Sequence, residues 1–259
     1  MSVRIASMRR RLLPNGRTDL LRQFCLFGGA YLLYRLVEGL VAGQSAAASH
    51  HATAVISLER TLHLFVEPSL QSWAAHSHLL LVIAAYVYFN AQTTLLVCGL
   101  LYLYIWHNRS YYFTRNMLLV AMGIALVCYA VYPTMPPRLL PEWGFIDTNQ
   151  LVTGMSSNGA VANEFVNQYA AIPSMHVAFA VMLAWSIARV VRPLPIRLFW
   201  LAWPLVITFV TIITGNHFLL DAVLGVACAG VAATVAHRLG AIRPNAWALP
   251  ASRSSVAAT

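Results

Sequence analysis

Apolar residues run through this chain of 259 residues in long blocks divided by short polar joints. A helix needs about 20 predominantly apolar residues to cross a bilayer, and six blocks approach or exceed that length: residues 20–41, 72–106, 117–132, 174–190, 198–213 and 217–235. The second block is the longest and holds Asn90 and Gln92 near its middle, so by pattern it reads either as two short crossings or as one crossing with an interfacial lead-in. The arginines decide for one. Cytoplasmic loops hold the excess of positive charge. With a single crossing the inner side receives Arg4, Arg9, Arg10, Arg11, Arg17, Arg22, Arg109, Arg115, Arg189, Arg192, Arg197, Arg238, Arg243 and Arg253, and the outer side only Arg60 and Arg138. A double crossing would move every later loop to the opposite side and erase that asymmetry. The pattern predicts an all-α integral membrane protein, a six-transmembrane-helix bundle with both termini cytoplasmic.

Two outer segments remain. Residues 44–70 place Ile56, Leu58, Leu62, Leu64, Phe65 and Val66 around Glu59, Arg60, His63 and Glu67, which predicts an interfacial amphipathic helix over about 53–67 that stops at Pro68. Residues 133–173 carry Pro133, Pro136, Pro137, Pro141, Gly144, Gly154 and Gly159, too many breakers for one regular element. A stretch of that length reads as a long extracytoplasmic loop with a binding role. Residues 1–19 form a basic cytoplasmic N-terminus with no cleavage site behind it, so the first span is expected to be retained. Residues 20–240 make one membrane domain, and the tail 241–259, rich in Ala and Ser after Pro250, is expected to be disordered.

Composition agrees with the pattern. Apolar residues make up 59% and charged residues 10%, against about 45–50% and about 25% in a soluble domain. The net charge of +9 rests on arginine alone, because the chain has no lysine. These arginines sit in short runs beside apolar blocks, so they mark topology and no nucleic-acid partner is expected. Cys25, Cys98, Cys128 and Cys228 each lie inside an apolar block without ligand spacing, and read as buried free thiols.

Chemistry gathers at three outer span ends. Tyr132-Pro133-Thr134-Met135-Pro136-Pro137-Arg138 leaves the third span and delivers a guanidinium that can fork onto phosphate oxygens, or simply snorkel at the interface. Ile172-Pro173-Ser174-Met175-His176 opens the fourth span. Proline stops any helix upstream, Ser174 is a natural N-cap, and the first turn offers free N–H groups to an anion. Thr214-Gly215-Asn216-His217 opens the sixth span, and Asp221 follows His217 by one helical turn, so the carboxylate can orient one ring nitrogen while the other stays free. Each histidine alone reads equally as an interfacial polar group. Together, two imidazoles, a carboxylate and Arg138 converge by topology on one side of the membrane, and an ionisable group such as Asp221 inside a span points to function.

At these residues the chain resembles the type 2 phosphatidic acid phosphatase (PAP2) superfamily of lipid phosphate phosphatases. Pro173-Ser174-Met175-His176 matches its PSxH motif and His217 to Asp221 its HxxxD motif. More narrowly, Glu59-Arg60, Leu62-His63, Glu67-Pro68, Arg115-Asn116, Pro136-Pro137-Arg138 and Asn167 through Ala171 resemble the branch containing fungal inositol phosphorylceramide synthase and bacterial homologues. The resemblance implies that His217 is a nucleophile forming a phosphohistidine, Asp221 its orienting carboxylate and His176 the general acid. Arg138, Ser174, Asn216 and Gly215 would hold the phosphoryl oxygens. It implies no metal and no cofactor, a lipid-phosphate substrate in the bilayer, water or a polar alcohol such as inositol or a glycan as acceptor, and a site on the extracytoplasmic side of a bacterial plasma membrane. The chain departs from the pattern at two cations: Val131 stands where the first motif has lysine, and Val210-Thr211 where the third begins Ser-Arg.

Two other classes stay open on the residues alone. A transporter can use His217 and Asp221 as a proton relay, which predicts inverted repeats and broken spans. A metal-dependent membrane enzyme can draw on His50, His51, His63, His76 and His78, although no carboxylate cluster accompanies them.

Overall fold

A computed structural model describes residue 13 and residues 16–41, 44–153 and 169–247. Among them the chain is helical, and the β-type pairing is one isolated bridge between Thr134 and Ala170. Helix α1 spans Gly16–Val41, α2 Ser45–Thr61 and α3 Glu67–Ala75. Helix α4 runs His78–Trp106 and contains a π-helical turn at Val87–Ala91. Helix α5 spans Asn108–Val131, α6 Thr148–Thr153, α7 Met175–Ala188, α8 Leu194–Ile213, α9 Leu219–Ile242 and α10 Pro244–Trp247.

Four of these, α4, α5, α8 and α9, are long and apolar enough to cross a membrane. Their outward faces are rich in exposed apolar side chains such as Val131 and Leu205, both 74% exposed. So much greasy surface fits lipid better than water. The block at 72–106 resolves as one continuous helix with α3 as its lead-in, because Ser77 caps α4 by accepting from the Leu80 amide. Helix α1 is long enough to span but less apolar than the four, and α7 is apolar but has only 14 residues.

That short helix is the hub. Helix α7 packs on α4, α5, α8 and α9, and small residues set the distances. A Cβ on Gly99 of α4 would lie 2.8 Å from Leu183 Cδ1, and one on Gly225 of α9 would lie 2.5 Å from the Ser174 carbonyl oxygen. Ala121, Ala178, Ala229 and Ala232 let α5, α7 and α9 close around Met117, Leu118 and Met182. Above the bundle, Ala52, Val55 and Ile56 of α2 form a cap with Leu140, Phe145, Ile172 and Phe218.

Several expectations shift. The outer helix ends at Thr61, not at Pro68; the proline sits in the first turn of a separate helix, where its missing N–H costs nothing. Arg115, assigned to an inner loop, is fully buried inside α5, which begins at Asn108. Of the four thiols, all free, Cys228 is buried whereas Cys25 and Cys98 are exposed. Residues 133–153 are a chain of short turns, with 3₁₀ turns at Pro137–Leu139 and Pro141–Trp143. The expectations for Gly154, Gly159, Asn167, most of the N-terminal basic segment and the tail beyond Trp247 lie outside the described residues.

Candidate active site

The helices α7 and α9 begin side by side. Ser174 is the N-cap of α7, its hydroxyl accepting from the Val177 amide, while its own N–H donates to the Asp221 carbonyl at 3.0 Å. His176 rides on the first turn of α7. Ahead of α9 the chain turns through Gly215, whose φ of 64° favours glycine and whose carbonyl accepts the Arg138 N–H at 2.8 Å. A Cβ at Gly215 would also lie 3.3 Å from the Arg138 backbone nitrogen, a tight contact that adds to the preference for glycine. His217 follows and Asp221 sits one turn on, both buried.

The imidazoles of His176 and His217 face each other with ring centroids 5.9 Å apart. Nδ1 of His217 lies 3.0 Å from the Ala171 carbonyl and 3.3 Å from Asp221 Oδ2. Asp221 Oδ2 also accepts from the Phe218 amide at 2.9 Å. Two acceptors beside Nδ1 assign the proton to that nitrogen and leave the Nε2 lone pair free. The orienter is thus shared between a backbone carbonyl and the carboxylate.

Both imidazoles and Arg138 line one cavity of about 260 Å³. Arg138 is 8% exposed, and its Nε and Nη1 have no hydrogen-bond partner among the described residues. Burial lowers its pKa, opposed by Tyr88 and Asp147 nearby. A buried cationic donor left unpaired costs more than the roughly 1–3 kcal/mol of a neutral one, so this guanidinium is poised for an anion. The opposite wall, Met122, Ala125 and Leu126 of α5 with Met175 and Phe179 of α7, is apolar.

Sequence reasoning missed four side chains that hold this arrangement. Tyr88 stacks on His176 with centroids 4.1 Å apart. Gln92 donates to the His176 carbonyl at 3.1 Å and accepts from Trp203 Nε1 at 2.7 Å. Tyr88 lies within the π-helical turn at Val87–Ala91, an irregularity frequent at functional sites, and Gln92 directly follows it. Glu59 and Glu67, read as polar positions of the outer segment and again in the resemblance, accept from the Leu220 and Leu219 amides at 2.7 and 2.8 Å. The first turn of α9 is therefore occupied by the protein's own carboxylates.

Ser174, Gly215 and Asn216 stand behind the cavity wall. The N–H groups of Gly215 and Asn216 donate to Ile212 and Thr211, and Asn216 Nδ2 to Thr214 Oγ1. Of the four residues expected to hold phosphate, Arg138 alone lines the cavity. Val131, in a motif lysine's place, is 74% exposed on the outside of α5, and Val210 and Thr211 are buried. Among the described residues no group of three or more His, Cys, Asp or Glu is arranged to hold a metal ion. The outer histidines are placed apart: His51 stacks on Tyr132, and His76 Nδ1 lies 2.9 Å from the Ser72 carbonyl.

Residues 53–235 match the family model described as the PAP2 superfamily. Among solved structures, the crystal structure of Aquifex aeolicus LpxE aligns with a TM-score of 0.52 at 17% sequence identity, covering 68% of this chain and 94% of that one. At that identity the likeness is one of fold. Comparison with curated proteins gives no match.

Proposed function

The chain belongs to the PAP2 superfamily, and from that premise we propose that it is a membrane lipid phosphatase or phosphotransferase that works through a phosphohistidine. One observation carries the proposal: two imidazoles 5.9 Å apart share one cavity with a buried guanidinium whose Nε and Nη1 have no partner among the described residues. Nε2 of His217 attacks phosphorus as the bond to the leaving oxygen breaks, and His176 gives that oxygen its proton. Arg138 forks onto the phosphoryl oxygens, whose charge grows in the transition state. Asp221 and the Ala171 carbonyl keep the Nδ1 proton in place as the imidazole becomes cationic. Water or an alcohol such as inositol or a glycan hydroxyl then attacks the phosphohistidine, with His176 accepting its proton and His217 as the leaving group. The apolar wall takes the hydrocarbon of the substrate. Ser174, Gly215 and Asn216 act one step back, holding the turns that aim His176, His217 and Arg138.

The proposal extends to placement and branch. Helices α1 and α7 cross with the other four, both termini lie in the cytosol, and the cavity opens on the extracytoplasmic side. The stretch from Glu59-Arg60 to Glu67-Pro68 favours the inositol phosphorylceramide synthase-like branch. The test is activity of the full chain in detergent on phosphatidate, prenyl pyrophosphate, and phosphatidylinositol with candidate alcohols. Turnover that persists in EDTA, an acid-labile phosphoenzyme, and loss of both in His217→Ala are expected. A His217→Ala protein that still turns over would overturn the reading.

A further inference from the structure

Helix α9, which His217 precedes, starts against acids that the mechanism leaves unused. Leu219 and Leu220 donate their first-turn amides to Glu67 Oε1 and Glu59 Oε1, and Phe218 donates its amide to Asp221 Oδ2. Glu59 comes from α2 and Glu67 from α3, 152 or more residues away in the chain, and they are 1% and 0% exposed. Their second oxygens, with Oδ1 of Asp221, have no hydrogen-bond partner among the described residues. Buried carboxylates without partners are costly. The end of a helix dipole offers only about half a positive charge against them. Three carboxyl groups meeting in a desolvated space cannot all be ionised, so protons are retained among them.

We propose that Glu59 and Glu67 are positioning residues for His217: a carboxyl pair sharing one proton that grips the first turn of α9 and so fixes the imidazole beside it. The inference rests on the reading of His217 as nucleophile. In each glutamate one oxygen accepts a helix amide, and the shared proton lies between the outward oxygens. Asp221 Oδ2 stays on Nδ1 of His217 and the Phe218 amide. The groups facing Glu59 are Glu67 from α3 and Asp221 from α9, and its pKa is pushed from 4.5 up to about 8, first by burial and then by the charge of Glu67. The amides of residues 218–220 bind three carboxyl oxygens in sequence, so losing one glutamate frees an amide on the turn that carries the nucleophile. When the pair loses its proton, a second negative charge appears within it and loosens the grip.

Glutamine keeps an accepting oxygen and mimics the protonated acid, whereas leucine removes the acceptor. In detergent micelles, Glu59→Leu and Glu67→Leu are expected to lower kcat for phosphate release from phosphatidate at least about tenfold, with KM within about twofold, since small misplacements of a reacting group cost this much. Glu59→Gln and Glu67→Gln are expected to recover to within about threefold of wild type. Hydrogen exchange over residues 217–222 should quicken in the leucine variants and stay slow in the glutamine ones. The fall of melting temperature between about pH 5 and pH 9 should flatten in Glu59→Gln. Leucine variants with wild-type kcat, glutamine variants no better than leucine ones, or a Glu59→Gln protein that melts with the wild-type pH dependence would each overturn the proposal. If His217→Ala keeps its turnover, the nucleophile reading falls instead, while melting and exchange still decide whether the pair grips α9.

Discussion

Among the described residues two arginines are buried, and they are treated in opposite ways. Arg115, in the N-terminal third of α5, is 0% exposed; its Nε and Nη2 donate to Asn116 Oδ1 and its Nη1 to Gln23 Oε1 at 2.9 Å. Its guanidinium also lies 4.9 Å from the Tyr112 ring centroid. Asn116 in turn donates to the Trp247 carbonyl at 2.6 Å, so one cation ties α1, α5 and the start of the tail together. Arg138, beyond the other end of α5, is nearly as buried but leaves Nε and Nη1 without a partner among the described residues, beside two imidazoles. A buried charge whose donors are used up is architecture, whereas one left wanting acceptors is waiting for a ligand.

Substitution of each arginine tests that contrast, and the largest effect belongs to Arg138. Arg138→Ala is expected to lower kcat by about 10²–10³, the usual loss when a donor to a developing oxyanion is removed, while the protein melts no lower than wild type. Arg115→Ala should do the reverse. Gln23 and Asn116 lose their partner inside the bundle at about 1–3 kcal/mol each, visible as a lower melting temperature, while turnover per folded molecule stays within about threefold. An Arg138→Ala protein that unfolds readily, or an Arg115→Ala protein that is stable but inactive, would erase the distinction.

A third comparison sets Gln92 beside them, a neutral group with both ends bonded yet placed at the site. Gln92→Leu removes the side-chain donor to the His176 carbonyl and leaves Trp203 Nε1 without its acceptor, and the expected loss is about 1–2 kcal/mol in stability together with about tenfold in kcat. The smallest effect is on pH. Glu59 keeps its proton in the folded protein up to about 8 but would lose it near 4.5 when unfolded. Its contribution to stability is therefore full below about pH 4.5, declines above it, and is lost as pH rises through about 8. Melting curves across that window should show the decline.

The sequence carried the parts of the site that are local in the chain. His176 two residues after a capping serine, and His217 one turn before Asp221, are readable because helix periodicity and capping fix them within a few residues. That residues 78–106 form one continuous helix was readable from the arginines, since a second crossing there would have erased the charge asymmetry of the whole sequence. The supports were hidden for the opposite reason. Gln92 meets His176 across 84 residues, and Glu59 meets Leu220 across 161. The π-helical turn that holds Tyr88 and leads into Gln92 leaves no trace in the apolar pattern. Arg115 misled because an arginine beside an apolar block signals a loop unless a glutamine and an asparagine wait for it inside the bundle, which pattern alone cannot show. Ser174, Gly215 and Asn216 were named from the family motifs, and their hydrogen bonds show them bracing the site from behind.

The contact between Ser174 and α9 has a mechanical consequence. Its N–H is bonded to the Asp221 carbonyl, and its own carbonyl lies against Gly225 with no room for a methyl group. The two histidine-bearing helices are pinned like the blades of scissors at a shared rivet, and cannot spread apart to admit a bulkier molecule. New substrate preferences are therefore expected to arise from changes in the segment bridging α5 and α7 and in the greasy lining between those helices. For anyone redesigning this scaffold, the rivet is the part to leave alone.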